Sequence, residues 1–281
     1  MSKQEVLEPM SNTPIEHVVV LMLENRSFDH ICGYWDCLPS GSGLTGEEFN
    51  HVDPADSSTA RIYVHHKKHD PEQRDQPEPG HYLENALVQL FGAEEGPHPH
   101  PAPMNGFVKD YIETLEQEAI DPVAAGEELM GCYDPLSTPV LRTLAEEFVL
   151  CDRWFSSVPG PTWPNRYYLH AATSDGIADN KKRLPDSVPL IYDHLQQAGI
   201  PWSVYASEKL TSNVGFALEK FSLLLKPEPH PGPYRKEPYF KDIKDFQNDL
   251  LNGKLPGYSF LEPIFLSMKK EGGNDQHPEY M

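Results

Sequence analysis

The chain carries its hydrophobic residues in short bursts, and the period of each burst predicts an element. His17-Val-Val-Val-Leu-Met-Leu23 is continuously apolar after its first residue and β-branched at its start. An unalternating run suits a strand covered on both faces, as in a parallel sheet flanked by helices. Polarity changes abruptly after it, at Glu24-Asn25-Arg26-Ser27-Phe28-Asp29-His30. Phe148-Val-Leu-Cys-Asp152 has the same character and predicts a second buried strand. Trp202 to Ala206 and Tyr258 to Leu261 predict two more, and Arg61 to Val64 a short one.

Helical spacing predicts helices over Tyr82 to Phe91, Gly106 to about Gln117, Thr138 to Glu147, about Pro164 to Ala172, Pro189 to Gln197 and Tyr239 to Leu251. In the third of these, Thr138 can cap, Pro139 sits in the first turn, and Val140, Leu141 and Leu144 form an apolar stripe. Gly199 and Asn252-Gly253 supply stops. Strands alternating with helices predict an α/β fold, a mostly parallel sheet with helices on both faces. The expectation is a single, partial domain over 1–281. Residues 39–80, rich in Gly, Pro, Ser and Asp, read as a surface excursion within it, and Pro227 to Pro238 as a loop.

Composition narrows the function. Acidic residues outnumber basic ones 43 to 23, a formal charge of −20. Such a charge repels nucleic acid and anionic membrane surfaces, so nucleic acid is excluded as a partner. It would also repel a phosphate, so an anion site must be local. The 28 prolines imply long irregular connections. No apolar run is long enough for a transmembrane segment, and no secretion signal is visible, so the expectation is a soluble intracellular chain. Four cysteines without a Cys-x-x-Cys pair read as free thiols, a Cys32–Cys37 disulfide being the alternative in an oxidising compartment.

Two strand ends carry candidate chemistry, since ligands in open α/β sheets bind beyond the carboxyl ends of strands. Glu24-Asn25 offers a carboxylate and an amide oxygen, hard donors for a divalent cation, though taken alone the pair reads first as a cap or turn. Pro159-Gly-Pro-Thr162-Trp-Pro-Asn-Arg166 fixes a tight turn that leaves one hydroxyl at a helix start. There the helix dipole favours an anion, and a bound metal would make Thr162 a usable nucleophile; the plain alternative is an N-cap. His65-His-Lys-Lys-His69 and His98-Pro-His100 read as solvated loops, and Phe155, Tyr167 and Tyr168 as core aromatics.

The string Glu-Asn-Arg-Ser-Phe-Asp-His-x-x-Gly, from Glu24 to Gly33, resembles the opening motif of a phosphoesterase family. That family comprises the bacterial non-specific phospholipases C and related acid phosphatases, with an alkaline-phosphatase-like fold. The resemblance continues through Pro-Gly-His81, Met104-Asn-Gly-Phe107, Val158 to Arg166 and Asn274-Asp-Gln-His-Pro278. It implies a metal-dependent hydrolase of a small phosphate ester or phospholipid head group. Glu24, Asn25 and Thr162 would hold one divalent metal ion of open identity, with Asn25 also near the phosphate. Thr162 would be the nucleophile, passing through a phospho-threonine. His81 and His277 would contact phosphate oxygens or assist proton transfer, while Asp29, Asn165 and Arg166 would hold loops in place. In the family an Asp-Glu pair followed by glycines, and then an Asp-His, lie downstream of the Asp-Gln-His-Pro segment. This sequence stops at Met281, so the expectation is an incomplete metal site and weak or absent activity. A non-catalytic phosphate-binding fragment and a phosphotransferase are the alternatives; the absence of Cys-x-Pro-x-Arg argues against a sulfatase.

Overall fold

A computed structural model describes residues 14–67, 78–115, 120–181, 184–185, 187–206, 239–263 and 276. In chain order its strands are β1 (Val18–Leu21), β2 (Phe49–His51), β3 (Arg61–Tyr63), β4 (His65–Lys67), β5 (Gly131–Tyr133), β6 (Trp202–Ala206), β7 (Phe240–Asp242) and β8 (Tyr258–Leu261). The helices are α1 (Phe28–Cys32), α2 (Leu83–Phe91), α3 (Phe107–Thr114), α4 (Pro122–Met130), α5 (Pro139–Glu147), α6 (Thr162–Ala171), α7 (Ile191–Gln197) and α8 (Ile243–Leu251). The chain divides into two compact units, Met1–Met22 with Pro189–Ile264 and Leu23–Val188 with Phe265–Met281.

The first unit is a parallel sheet in the order β1-β8-β6-β7. All five residues of β6 are buried, as a central strand requires. Trp202 and Tyr205 have opposite parity and so point to opposite faces. Trp202 packs on Tyr192 of α7, ring centroids 4.6 Å apart, and Tyr205 meets Phe246 of α8 edge-on at 5.3 Å. Helices therefore cover both faces, the predicted α/β arrangement. The Tyr205 hydroxyl donates to Asp249 Oδ2 at 2.8 Å, and Lys241 Nζ donates to the same oxygen at 2.7 Å. β1 departs from expectation. It is shorter than predicted and lies at the sheet edge, and Val18, Val19 and Leu21 are exposed rather than covered.

In the second unit α3 packs on α2 and α4, and α4 on β3. β2 and β3 pair antiparallel, β4 and β5 parallel. The 39–80 stretch thus contains β2, β3 and β4. The histidine tract expected to be a loop forms a strand at His65–Lys67, because it pairs with β5 and His66 stacks on Tyr34 at 3.8 Å. A polar knot joins the helices: buried Asp110 accepts from Asn85 Nδ2 at 2.8 Å and from Gln89 Nε2 at 2.7 Å. A Cβ on Gly106 would lie 1.8 Å from the Val88 carbonyl oxygen, so only glycine allows the close approach of α2 and α3.

Two further expectations fail here. Phe148 to Asp152 forms no strand, and Phe148 and Val149 are exposed, because among the described residues nothing pairs with or covers them. Phe155 is exposed as well, whereas Tyr167 is buried and Tyr168 stands at the boundary. α5 forms where predicted, but the Thr138 side chain makes no capping bond, and the stripe at Val140 and Leu144 faces outward. All four cysteines are free, Cys32 and Cys132 buried, Cys37 and Cys151 exposed. Burial pushes the Cys32 and Cys132 thiols up to about 12, with nearby negative groups adding to it, so both stay protonated. Residues 227–238 lie outside the described residues. No helix among those described is long and apolar enough to cross a membrane.

Candidate functional site

Thr162 is the first residue of α6, and the turn before it is held by one side chain. Asn165 Oδ1 accepts from the Val158 amide at 3.0 Å. Its Nδ2 donates to the carbonyls of Val158, Gly160 and Pro161 at 3.0, 3.1 and 3.0 Å. A helix start leaves four amide groups without intrahelical partners. At this one, Pro161 and Pro164 have no N–H, and the Trp163 amide donates to Asn180 Oδ1 at 2.9 Å. The Thr162 amide is the remaining donor. Among the described residues neither it nor the Thr162 hydroxyl has a hydrogen-bond partner. The cap position belongs to Pro161, so the reading of Thr162 as a simple N-cap does not hold.

Arg166 follows Thr162 by four residues and so shares its helix face. Its guanidinium Nη1 lies 3.4 Å from Glu24 Oε1, with the two side chains 3% and 10% exposed. This buried pair fastens the Glu24-Asn25 segment to the helix that begins with Thr162. Asn25 adopts the left-handed region, φ 68°, and its Nδ2 is buried without a partner. An unsatisfied amide on a strained backbone is costly, and such features concentrate at ligand sites. Burial, and secondarily the charge of Arg166, push His170 on the same helix down to about 3.

The other motifs approach the same region. Arg26 Nε donates to the Gln276 carbonyl at 2.8 Å, which ties the residue before His277 to the segment beside Asn25. His277 itself lies outside the described residues. A Cβ built on Gly160 would sit 3.7 Å from the Leu83 amide nitrogen, so the start of α2 abuts the Thr162 turn. His81 is just upstream, its Nδ1 3.7 Å from Glu78 Oε1 and its ring stacked on Tyr82. Both of its flanks are pinned by α2. The Gly80 carbonyl accepts from Gln89 Nε2 at 2.6 Å, and the Tyr82 amide donates to Asn85 Oδ1 at 3.1 Å. A Cβ on Gly80 would collide with the Asn85 amide at 2.3 Å, which accounts for the glycine before His81.

As a cation site, Glu24, Asn25 and Thr162 are right in kind and short in number. All three can offer oxygen, as a hard divalent ion requires, but calcium or magnesium takes six or more. Glu24 is the one carboxylate of the three, and Arg166 already engages it. Among the described residues no group of three or more His, Cys, Asp or Glu could hold a metal. Further ligands would have to come from elsewhere. Sequence reasoning missed Asn180, which accepts from the Trp163 amide, and Asp110, which holds the two side chains that pin the residues flanking His81. Neither has a local signal, because each acts on a segment distant in sequence.

A sequence model of the Phosphoesterase family matches residues 15–281. The chain belongs to the Phosphoesterase family. Within this family of proteins it is 35% identical to the non-specific phospholipase C6 of Arabidopsis thaliana, over 95% of this chain and 47% of that protein. It is 32% identical to the non-specific phospholipase C3 of the same plant, over 96% and 49% respectively. Phospholipase C B of Mycobacterium tuberculosis is 26% identical over 90% of the chain and 51% of its own length. The chain therefore spans about half the length of the curated relatives it matches.

Proposed function

We propose that this chain carries the nucleophile of a metal-dependent phosphate-ester hydrolase, with Thr162 as the attacking group. The observation that carries this reading is the bare end of α6, where one residue presents both an unpartnered hydroxyl and an unpartnered amide. Membership of the Phosphoesterase family and the phospholipase C names of its relatives support the reaction class. The substrate would be a small phosphate ester or a phospholipid head group.

In the chemistry that follows, Thr162 Oγ1 forms a bond to phosphorus while the ester P–O bond breaks. The threonine proton passes to solvent, and His81 or His277 protonates the departing oxygen. Water then cleaves the phospho-threonine, returning the hydroxyl and releasing phosphate or a phosphomonoester. The Thr162 amide and the positive end of α6 stabilise charge on the phosphoryl oxygens. The Asn25 amide, which has no partner of its own among the described residues, would donate to the same group. A divalent ion held by Glu24, Asn25 and Thr162 would lower the pKa of the threonine hydroxyl and neutralise the phosphate.

The test is hydrolysis of p-nitrophenyl phosphate and p-nitrophenyl phosphorylcholine with and without divalent metals, by the chain alone and joined to the remainder of a relative. Acid quenching should trap one phosphoryl group on Thr162, seen as a mass increment that Thr162→Ala lacks. Turnover by Thr162→Ala at the native rate would sink the assignment. A second reading has one observation in its favour, the engagement of Glu24 by Arg166: a site that binds phosphate without turning it over. Calorimetry with orthophosphate and phosphocholine separates the two, since binding without hydrolysis by either form of the protein supports the second. Product analysis with an added alcohol distinguishes a phosphotransferase.

A further inference from the structure

Residues 136–155 leave apolar side chains and backbone groups uncovered together. On α5, Val140 and Leu144 are one turn apart and Phe148 follows after another, so they share a face. None of α5's residues is buried, and Phe148 is 75% exposed. Val149 is 87% exposed and Trp154 83%, with Leu136 and Phe155 similarly bare. Single exposed apolar residues are ordinary, but seven within twenty residues are not. The backbone matches. Among the described residues the amides and carbonyls of Val149, Leu150 and Cys151 have no hydrogen-bond partner.

We infer that Phe148 to Cys151 is a strand seat, built to pair with a strand from polypeptide that the relatives possess and this chain does not match. The composition of this stretch is that of a buried strand, and what it lacks is a neighbour. The occupant follows from length and from chemistry. The chain covers 47% and 49% of the two plant relatives, so each holds about as much polypeptide again. A strand satisfies the bare amides and carbonyls while burying the side chains beside them. A lipid surface would bury the side chains and leave those backbone groups without partners. A second copy of this chain would bring a formal charge of −20 against another −20.

The experiment expresses the unmatched remainder of the Arabidopsis phospholipase C6 as a separate polypeptide, and also fused to this chain. Hydrogen exchange over 145–156 and Trp154 fluorescence are the readouts. Trp35, Trp163 and Trp202 are buried, so solvent-sensitive emission reports Trp154. With the remainder present, exchange at Val149 to Cys151 should slow by at least about a hundredfold, and the emission should shift to the blue. Val149→Asp should abolish both changes while leaving the circular dichroism of the chain alone unaltered. Four results would overturn the inference. These are protection of 148–151 in the isolated chain, protection that rises with chain concentration alone, a blue shift on phosphatidylcholine vesicles without the remainder, and unchanged exchange with the remainder both mixed and fused.

Discussion

Replacing Arg166 by methionine keeps most of the side-chain volume and leaves the Glu24 carboxylate without the charge that faces it. At 3.4 Å and an effective dielectric constant near 20, the attraction lost is about 5 kcal/mol. Removing one partner of a buried pair costs ~3–5 kcal/mol in practice, a large fraction of the 5–15 kcal/mol that holds a typical protein folded. With a urea slope near 3 kcal/mol/M the midpoint should fall by about 1–2 M. The assay is urea unfolding in chelator, followed by the fluorescence of buried Trp163 on α6. Glu24→Leu in the same background should restore at least ~2 kcal/mol relative to the sum of the single changes. A loss below about 1 kcal/mol for Arg166→Met, or additivity within about 0.5 kcal/mol, would refute the claim that this pair joins the Glu24 segment to α6. Removing the guanidinium should also raise the His170 pKa from its depressed value, read by NMR titration of the ring.

Asp110→Ala strands the amide donors of Asn85 and Gln89, and at ~1.5–3 kcal/mol for each bond to a charged acceptor the loss should reach about 3–6 kcal/mol in urea unfolding. Asp110→Asn keeps one acceptor and should lose less. Asn25→Gly relieves the left-handed backbone at φ 68°, so thermal melts should show a protein unchanged or up to ~1 kcal/mol more stable, with hydrolysis of p-nitrophenyl phosphate lowered. His170 is held neutral when folded, so the folded state binds fewer protons than the unfolded one. Its contribution to stability is complete above an ordinary histidine pKa near 6.5 and is lost as pH falls from there towards about 3. His170→Gln should therefore flatten the fall in urea midpoint between pH 7 and pH 4.5.

What the sequence disclosed depended on how local the cause was. β6 and β8 match the predicted ranges residue for residue, because aromatic and β-branched runs covered on both faces announce themselves. β4 was invisible: His65-His66-Lys67 has no apolar period, and its partner β5 lies beyond three helices. α4 was missed although Asp121 caps Val123 and Ala124 and Pro122 opens the helix, a signal that was there to use. Phe148 to Asp152 shows the opposite error. An apolar run reports what a segment requires and says nothing of whether a neighbour is supplied. At the site, the motifs named Glu24 and Thr162, and helical spacing puts Thr162 and Arg166 on one face. The pairing of Arg166 with Glu24 spans 142 residues of chain, and no local pattern encodes it.

The Asn165 clamp has a consequence for how this region can diverge. One amide side chain holds Val158, Gly160 and Pro161 at once. Inserting or deleting a single residue between Val158 and Asn165 would unhook all of these contacts and swing the hydroxyl out of register. Substitution can drift there one position at a time, whereas changes in segment length have no intermediate that works. Length variation among homologues should therefore collect outside these eight residues, at bends whose geometry does not hang on one amide.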